Sequence, residues 1–260
     1  IAQNSLSSTH SGSALAMERT VKGIGHLLGW MFVLAIPLFL VTSNVRVAFN
    51  TQMLYEVGFD RHDVESRTGL SSHQLTVAGE QIREYFNSED DLIKLRIPFG
   101  ETTQGLFLER EVLHMRDVKE LVSFTYRFQE GLFLFILLFI TLGFLVRGSQ
   151  FSTYARKLLV TGSTVTIVLV GTIGLLSLIA FDPLFRLFHE LSFSNDLWIL
   201  DPARDYLVQL FPLGFWMEST VIIGIISVAQ AGGIIGLVAV HRLWQEWRRR
   251  VARSRKPQYT

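Results

Sequence analysis

The chain has 260 residues, of which 49% are hydrophobic and only 18% are charged, and it contains no cysteine. The lack of cysteine excludes a disulfide framework, a thiol nucleophile and a cysteine-ligated zinc site, and a mean hydropathy of +0.33 with twenty phenylalanines excludes a disordered chain. The net charge of +1 is small only because acidic and basic residues, which are segregated along the chain, cancel.

Four stretches contain no Asp, Glu, Lys or Arg. Most of them are as long as the ~20 residues that a helix needs to cross the hydrocarbon core of a bilayer. The alternatives are buried core helices or, for the first stretch, a signal peptide, but the first stretch begins too late and is too long for one. The sequence therefore predicts an α-helical membrane protein with four transmembrane helices, at residues 23–44, 131–146, 158–181 and 219–240.

The segments between the predicted spans differ in the sign of their charge. The N-terminal segment 1–22, the loop 147–157 and the tail 241–260 together carry +10, whereas segments 45–130 and 182–218 together carry −9. Short positively charged loops stay in the cytoplasm. We therefore expect both termini in the cytoplasm and both acidic segments outside the cell.

The tail 241–260 carries seven basic residues and one acidic residue, together with Trp244 and Trp247. Cationic side chains and tryptophans concentrate where a membrane meets water. We interpret this tail as an anchor that contacts membrane lipid, in preference to a patch that binds nucleic acid.

Segment 45–130 is too long for a linker and contains both helical and extended patterns. In chain order these are a helix from Leu70 to Tyr85, a strand over Ile93–Phe99, a turn over Gly100–Gly105, a returning strand at Leu106–Leu108 and a helix from Glu109 to Phe128. Ser71 or Ser72 is suited to cap the first helix. The patterns predict a small extracellular α/β cap between the first and second transmembrane helices.

The second acidic segment, 182–218, is rich in aromatic residues. Its apolar part, Tyr206–Trp216, is interrupted by Pro212 and is too short to span a membrane. We therefore expect an extracellular loop that contains an interfacial or re-entrant segment.

Histidines outside the predicted spans are the best candidates for chemistry. The spans offer no charge to a proton- or ion-coupled transporter, and no GxSxG, HExxH or P-loop motif is present. His114 is followed three residues later by Asp117, which shares its helix face and is suited to fix the tautomer of the imidazole. His189 is followed by the polar residues Asn195, Asp196, Asp201 and Asp205.

The same residues leave other functions open. Two histidines with carboxylates are ordinary zinc ligands, so a zinc-dependent membrane hydrolase fits the pattern. A non-catalytic four-span protein whose cap binds a partner also fits, because either histidine alone is as often structural as functional. Spacing does not separate these alternatives.

Several motifs resemble one family of bacterial four-span membrane proteins over roughly residues 20–240. They are Thr68-Gly-Leu-Ser71 leading to Tyr85, Glu111-Val-Leu-His-Met-Arg-Asp-Val-Lys119, Phe188-His-Glu-Leu-Ser-Phe-Ser-Asn-Asp-Leu-Trp198, Asp201-Pro with Asp205, and Phe211-Pro-Leu-Gly-Phe-Trp216. The family is that of the lipoprotein intramolecular transacylases, Lit, of Gram-positive bacteria.

The resemblance implies a reaction on lipoproteins whose N-terminal cysteine carries a diacylglyceryl group. The sn-2 acyl chain moves to the α-amino group of the same cysteine and leaves a lyso-form lipoprotein, without a cofactor or metal, on the extracellular face of the bacterial cell membrane. His114 and His189 match the catalytic pair of the family. We expect one of them to take the amine proton, and the other, or a nearby donor, to support the oxyanion and protonate the leaving hydroxyl, in an order that stays open. The residues expected to support them or to position the substrate are Glu111, Asp117, Lys119, Asn195, Asp196, Trp198 and Asp205.

Overall fold

A computed structural model of the chain describes the backbone of residues 3–254 and the side chains of residues 19–20 and 23–251. Residues 1–2 of the predicted N-terminal segment and 255–260 of the predicted basic tail lie outside the described residues. The elements are, in chain order, α1 (Gln3–Asn50), α2 (Gln52–Arg61), α3 (Val64–Thr68), α4 (Ser72–Tyr85), β1 (Arg96–Phe99), β2 (Thr102–Gly105), α5 (Glu109–Arg147), a 3₁₀ turn (Gly148–Gln150), α6 (Phe151–Ser192), α7 (Tyr206–Leu210) and α8 (Leu213–Ser254). The fold is therefore mostly helical, as predicted.

Three helical stretches of the described chain are long and apolar enough to cross a membrane: Gly23–Asn50, Glu109–Ser192 and Leu213–Val251. The second stretch, of 84 residues, contains both α5 and α6. These two helices are separated by the 3₁₀ turn, where Gly148 has a left-handed φ of 53° that favours glycine. Each of the four charge-free stretches thus lies within a different long helix.

The chain forms two compact units. One comprises Ile1–Leu38, Leu132–Thr166 and Ala231–Thr260, and the other comprises Phe39–Gly131 and Ile167–Gln230. In the first unit, Gly162 of α6 lies so close to Ile36 of α1 that a Cβ at this position would press against it. Such close approach at a small residue is how helices pack tightly in membranes, where water does not drive them together.

The second unit contains the predicted cap, and its first helix is confirmed. Ser71 and Gln74 form a capping box at the start of α4: the Gln74 amide donates to Ser71 Oγ at 3.4 Å and the Ser71 amide donates to Gln74 Oε1 at 2.8 Å. The apolar stripe of this helix, including the fully buried Ile82, packs into the core of the unit.

The predicted position of the returning strand is wrong. Strand β2 lies at Thr102–Gly105, inside the segment predicted as a turn, and not at Leu106–Leu108. Phe99 pairs with Thr102, so the turn needs only two residues, and Gly100 makes this possible by adopting a φ of 62°. Because the turn is shorter than predicted, the second strand begins earlier in the sequence.

Two other predicted boundaries differ from the structure. The cap helix predicted to end at Phe128 continues without a break through the charge-free stretch 131–146 as α5, because Gly131 alone does not interrupt a helix. The segment Tyr206–Trp216 is divided between α7 and the start of α8, and Pro212 immediately precedes the first residue of α8. Proline is compatible with a helix start because its missing N–H has no partner there.

Candidate active site

His189 lies on a redirected end of α6. Pro183 has no N–H to donate to the carbonyl of Ile179, and Ala180 leaves the helical conformation with φ −140° and ψ 47°. The helix is therefore kinked at this point, and its last turns carry His189 within the second unit.

The two predicted histidines lie close together. The ring centroids of His114, on α5, and His189 are 6.2 Å apart. Only 5% of His114 and 8% of His189 is exposed. The ring of Phe193 packs against both, at 5.1 Å from His114 and 5.6 Å from His189. The structure thus brings together two residues that are 75 positions apart in the sequence.

Aromatic rings surround His189 on its other sides. Phe185 lies 4.3 Å away, Phe188 lies 5.2 Å away and Trp198 lies 5.1 Å away between ring centroids. These rings exclude water from most of the imidazole, and burial in such surroundings disfavours its charged form.

The tautomer of His189 follows from one contact. Its Nδ1 lies 2.7 Å from the carbonyl oxygen of Phe185. Because a carbonyl only accepts hydrogen bonds, Nδ1 must carry the proton, and the neutral ring then has its lone pair on Nε2. Burial lowers the pKa of His189, and the hydrogen bond to Phe185 partly offsets this. His189 is therefore held as a neutral base.

His114 is also held neutral, but with less constraint. Its Nδ1 is buried without a hydrogen-bond partner among the described residues, so no contact fixes its tautomer. Like His189, it lies outside the charge-free stretches. Burial and, to a smaller extent, the charge of a protonated His189 lower the pKa of His114 to about 4, although the charge of Asp117 opposes them. A proton on one histidine thus disfavours a proton on the other.

Replacing His114 is expected to weaken the dependence of stability on pH. Its pKa is 6.5 in a free imidazole and about 4 in the folded protein. Between these values the unfolded state binds a proton that the folded state does not bind. The free energy of unfolding should therefore fall by about 3 kcal/mol as the pH drops through this window.

Because glutamine does not titrate, His114→Gln should lose less stability than the unchanged protein between pH 7 and pH 4. The measurement is the melting temperature of the protein in detergent across this range. His73→Gln, at an exposed histidine of α4, is the control and should keep the original dependence. The same pH dependence in His114→Gln and in the control would mean that His114 is not buried as a neutral ring.

Asp117 does not make the expected contact with an imidazole. Its Oδ2 accepts a hydrogen bond from Asn195 Nδ2 at 2.8 Å, and no hydrogen bond among the described residues joins it to His114. Asp117 thus acts on His114 only through its charge, while its hydrogen bond holds the segment after α6.

Glu111 and Asp205 are both fully buried carboxylates in the same part of the unit. Glu111 accepts hydrogen bonds from the amides of Leu108, at 2.8 Å, and Leu207, at 2.6 Å. Burial raises the pKa of Glu111 above its usual value despite these bonds. Burial also raises the pKa of Asp205, but the hydrogen bonds from Asp201 and Arg204 and nearby cationic charge outweigh it and hold the pKa below its usual value.

Two of the predicted supporting residues lie elsewhere. Lys119 donates to the carbonyl oxygens of Ser88, at 2.8 Å, and Asp90, at 2.6 Å, and lies over the ring of Tyr85. It therefore holds the connection after α4 and not the histidines. Asp196 is exposed, and its carbonyl accepts the amide of Ile199.

A polar cavity of about 260 Å³ lies next to Phe193, and neither His114 nor His189 is among its lining residues. It is lined by Asp117, Glu120 and Leu121 of α5 and by Ser192, Phe193, Ser194 and Asn195. Within the part of the chain that the structure describes, no three His, Asp or Glu side chains converge in a way that could hold a metal ion. The zinc ligand set that the sequence left open therefore finds no support there.

Sequence reasoning missed two contributors to the site. One is the Phe185 carbonyl, which fixes the tautomer of His189 and, as a backbone group, has no sequence signal. The other is Arg110, which donates to the carbonyl of Ile199 and lies 3.8 Å from Asp205. In the sequence, the only hint that Arg110 belongs to the site is its position next to Glu111.

A family model and several solved structures that match this chain carry the same family name. A family model described as lipoprotein intramolecular transacylase Lit matches residues 30–216. An uncharacterized protein of Aquifex aeolicus (strain VF5) is 24% identical over 204 residues, which cover 77% of this chain and 88% of that protein.

The fold resembles solved structures of the membrane integral lipoprotein intramolecular transacylase Lit from Bacillus cereus. One is 20% identical, with a TM-score of 0.68 over 88% of this chain and 99% of that chain. A second, in which one histidine is replaced by arginine, is 19% identical, with a TM-score of 0.68 over 89% of this chain and 98% of that chain. These similarities extend over almost the full length of the solved chains.

Proposed function

The chain belongs to the lipoprotein intramolecular transacylase family Lit, and we propose that it moves the sn-2 acyl chain of a diacylglyceryl-cysteine lipoprotein to the α-amino group of the same cysteine. The product is a lyso-form lipoprotein. The observation that carries this proposal is the pair of buried, neutral imidazoles of His114 and His189, whose ring centroids are 6.2 Å apart.

The reaction makes modest demands on a catalyst. The α-amine has a pKa of about 7.7–8.0, so part of it is already neutral near pH 7. The ester and the amine belong to one molecule, and holding them in contact can contribute several kcal/mol. The remaining needs are a base for the amine proton, a donor for the oxyanion and an acid for the leaving oxygen.

His189 is the base in this proposal. The neutral amine attacks the sn-2 ester carbonyl, a C–N bond forms, and Nε2 of His189 takes the proton that the nitrogen loses. The C–O bond to the glyceryl group then breaks, and His189 returns this proton to the departing sn-2 oxygen. The Phe185 carbonyl supports this role because it keeps the other ring nitrogen protonated.

His114 is the oxyanion donor. Its pKa of about 4 keeps it neutral, and a proton on His189 disfavours a second proton on it. A neutral imidazole still has one N–H, which can donate to the tetrahedral oxyanion. The two histidines thus divide the work, because only one of them carries the extra proton at a time.

The proposed arrangement in the membrane has four spans, both termini in the cytoplasm and the histidines on the extracellular side. The distribution of charge along the chain supports it, with +10 in three segments and −9 in the other two. The acyl chains of the substrate would lie between the spans, with Trp198 and Trp216 at the mouth of the site. Trp216 packs against Phe185 with ring centroids 6.2 Å apart.

The test is to incubate the purified protein with a diacylglyceryl lipopeptide and to analyse the product by mass spectrometry. We expect an unchanged total mass, with fragment ions that show one acyl chain moved from the glyceryl group to the N-terminus. A lipopeptide with an acetylated α-amine is the control and should not react. Release of free fatty acid would indicate a hydrolase instead, and an unaltered lipopeptide would favour a non-catalytic protein.

A further inference from the structure

The segment 193–205, which we call the strap, joins α6 to α7 and is held to α5 on both sides of His114. Its far end is fixed through the start of α7, because Glu111, three residues before His114, accepts the amide of Leu207, two residues beyond the strap, at 2.6 Å. Its near end is fixed by Asp117, three residues after His114, which accepts from Asn195 at 2.8 Å. Residues three apart share a helix face, so these attachments follow the face of α5 that carries His114.

At the attachment to Glu111, a residue of α5 caps the start of α7. Asp205 is the N-cap residue of α7, yet its side chain makes no capping hydrogen bond. Instead, its Oδ2 accepts a hydrogen bond from the amide of Asp201 at 2.7 Å, and this bond closes a turn at the end of the strap. The Leu207 amide, in the first turn of α7, therefore donates to Glu111, which belongs to α5. Removing the Glu111 carboxylate would therefore leave a buried donor unpaired.

Between these ends, the strap is joined to α5 once more and carries Trp198 to the catalytic pair. The Arg110 guanidinium donates to the carbonyl of Ile199, the residue next to Trp198. The Trp198 ring lies 5.1 Å from the His189 ring with 36° between their planes. The position of Trp198 thus depends on contacts made by residues next to it and at both ends of the strap.

We infer that Glu111 is a positioning residue, which holds Trp198 against His189 by anchoring the strap to α5. The inference rests on the proposed function, because it concerns the base of that reaction. With the strap anchored, the tryptophan covers His189 and keeps water away from it. With the strap released, water reaches the imidazole and the base loses its fixed surroundings.

The neighbours of His189 make its titration a direct measure of this cover. From α5 it faces His114, near which the carboxylate of Asp117 lies. From the strap it faces the uncharged rings of Phe193 and Trp198, and from its own helix those of Phe185 and Phe188. Burial is the largest cause of the lowered pKa of His189. Loss of the Trp198 cover should therefore raise this pKa.

The test uses Glu111→Gln, which keeps the size of the side chain but offers only one carbonyl oxygen to two amide donors. We expect kcat/KM to fall about 10-fold and the pKa of His189, measured by NMR with labelled histidine, to rise. Asn195→Ala, an exposed change that releases the near end of the strap, should shift this pKa in the same direction. Glu109→Gln, at the exposed first residue of α5, is the matched control and should leave both quantities unchanged.

A double-mutant cycle with Trp198→Ala separates positioning from general support of the fold. If Glu111 acts through Trp198, Glu111→Gln should have little further effect on kcat/KM in the Trp198→Ala protein. Additive losses, or an unmoved pKa of His189 in Glu111→Gln, would overturn the inference. The NMR titration needs no turnover, so it decides the role of Glu111 even if the lipopeptide assay shows that the proposed reaction is wrong.

Discussion

His189→Ala should lower kcat for acyl transfer by about 10²–10⁴-fold, the usual contribution of a general base. The physical reason is the loss of the free lone pair on Nε2, which the Phe185 carbonyl fixes in place by holding Nδ1 as the donor. The measurement is the initial rate of N-acylated product from a diacylglyceryl lipopeptide, with saturating substrate, followed by mass spectrometry.

The matched control for this change is His73→Ala. His73 is an exposed histidine of α4 in the same unit of the fold, so it reports any general effect of replacing a histidine in this protein. It should keep the original rate. If His189→Ala also kept the original rate, the proton would be taken by another group, and His189 would be a structural residue packed among aromatic rings.

The sequence predicted the four long helices and α4 because their signals are local, but it did not predict α2 and α3. Each of the four charge-free stretches predicted as spans falls within a long helix, and Ser71 with Gln74 marks the start of α4 through a capping box. The position of β2 was missed because it depends on a two-residue turn, and Gly100 allows that turn without requiring it. Strand register is decided by the partner strand and not by the local sequence alone.

The candidate site was predictable only in part, for a related reason. His114 and His189 were identified from their acidic neighbours and from the family motifs, and the structure brings their rings within 6.2 Å. The partners of the neighbouring acids were not predictable. Asp117 shares a helix face with His114, yet it binds Asn195, which is 78 residues away. Lys119, in the same motif, binds the connection after α4 instead.

The partners of Glu111 illustrate the limit most clearly. A glutamate in the first turn of a helix is expected to favour the positive end of the helix dipole and to stay in water. Glu111 does accept the amide of Leu108, the residue just before its own helix, but it also caps α7 from a distance of 96 residues. Which backbone amide lacks a partner is known only once α7 and the strap are placed.

His114→Ala should lower kcat by about 10²–10³-fold, the effect of removing one oxyanion donor. Because the oxyanion exists only in the transition state and the intermediate, KM should change much less than kcat. His114→Gln keeps a donor NH₂ group and should therefore recover part of the lost rate. Both rates are measured with the lipopeptide substrate, with His73→Ala as the unaffected control.

The variant that carries both His114→Ala and His189→Ala best tests whether the two histidines act as donor and base in one step. A donor stabilises the charge that the attack creates, and the attack is itself assisted by the base, so the two histidines act on one transition state. His114→Ala should therefore cost less in the His189→Ala protein than in the unchanged protein, as is found for residues that act as a unit. Equal losses in the two backgrounds would show that His114 works independently of His189. A rise in KM with kcat unchanged would place His114 in substrate binding instead of in oxyanion stabilisation.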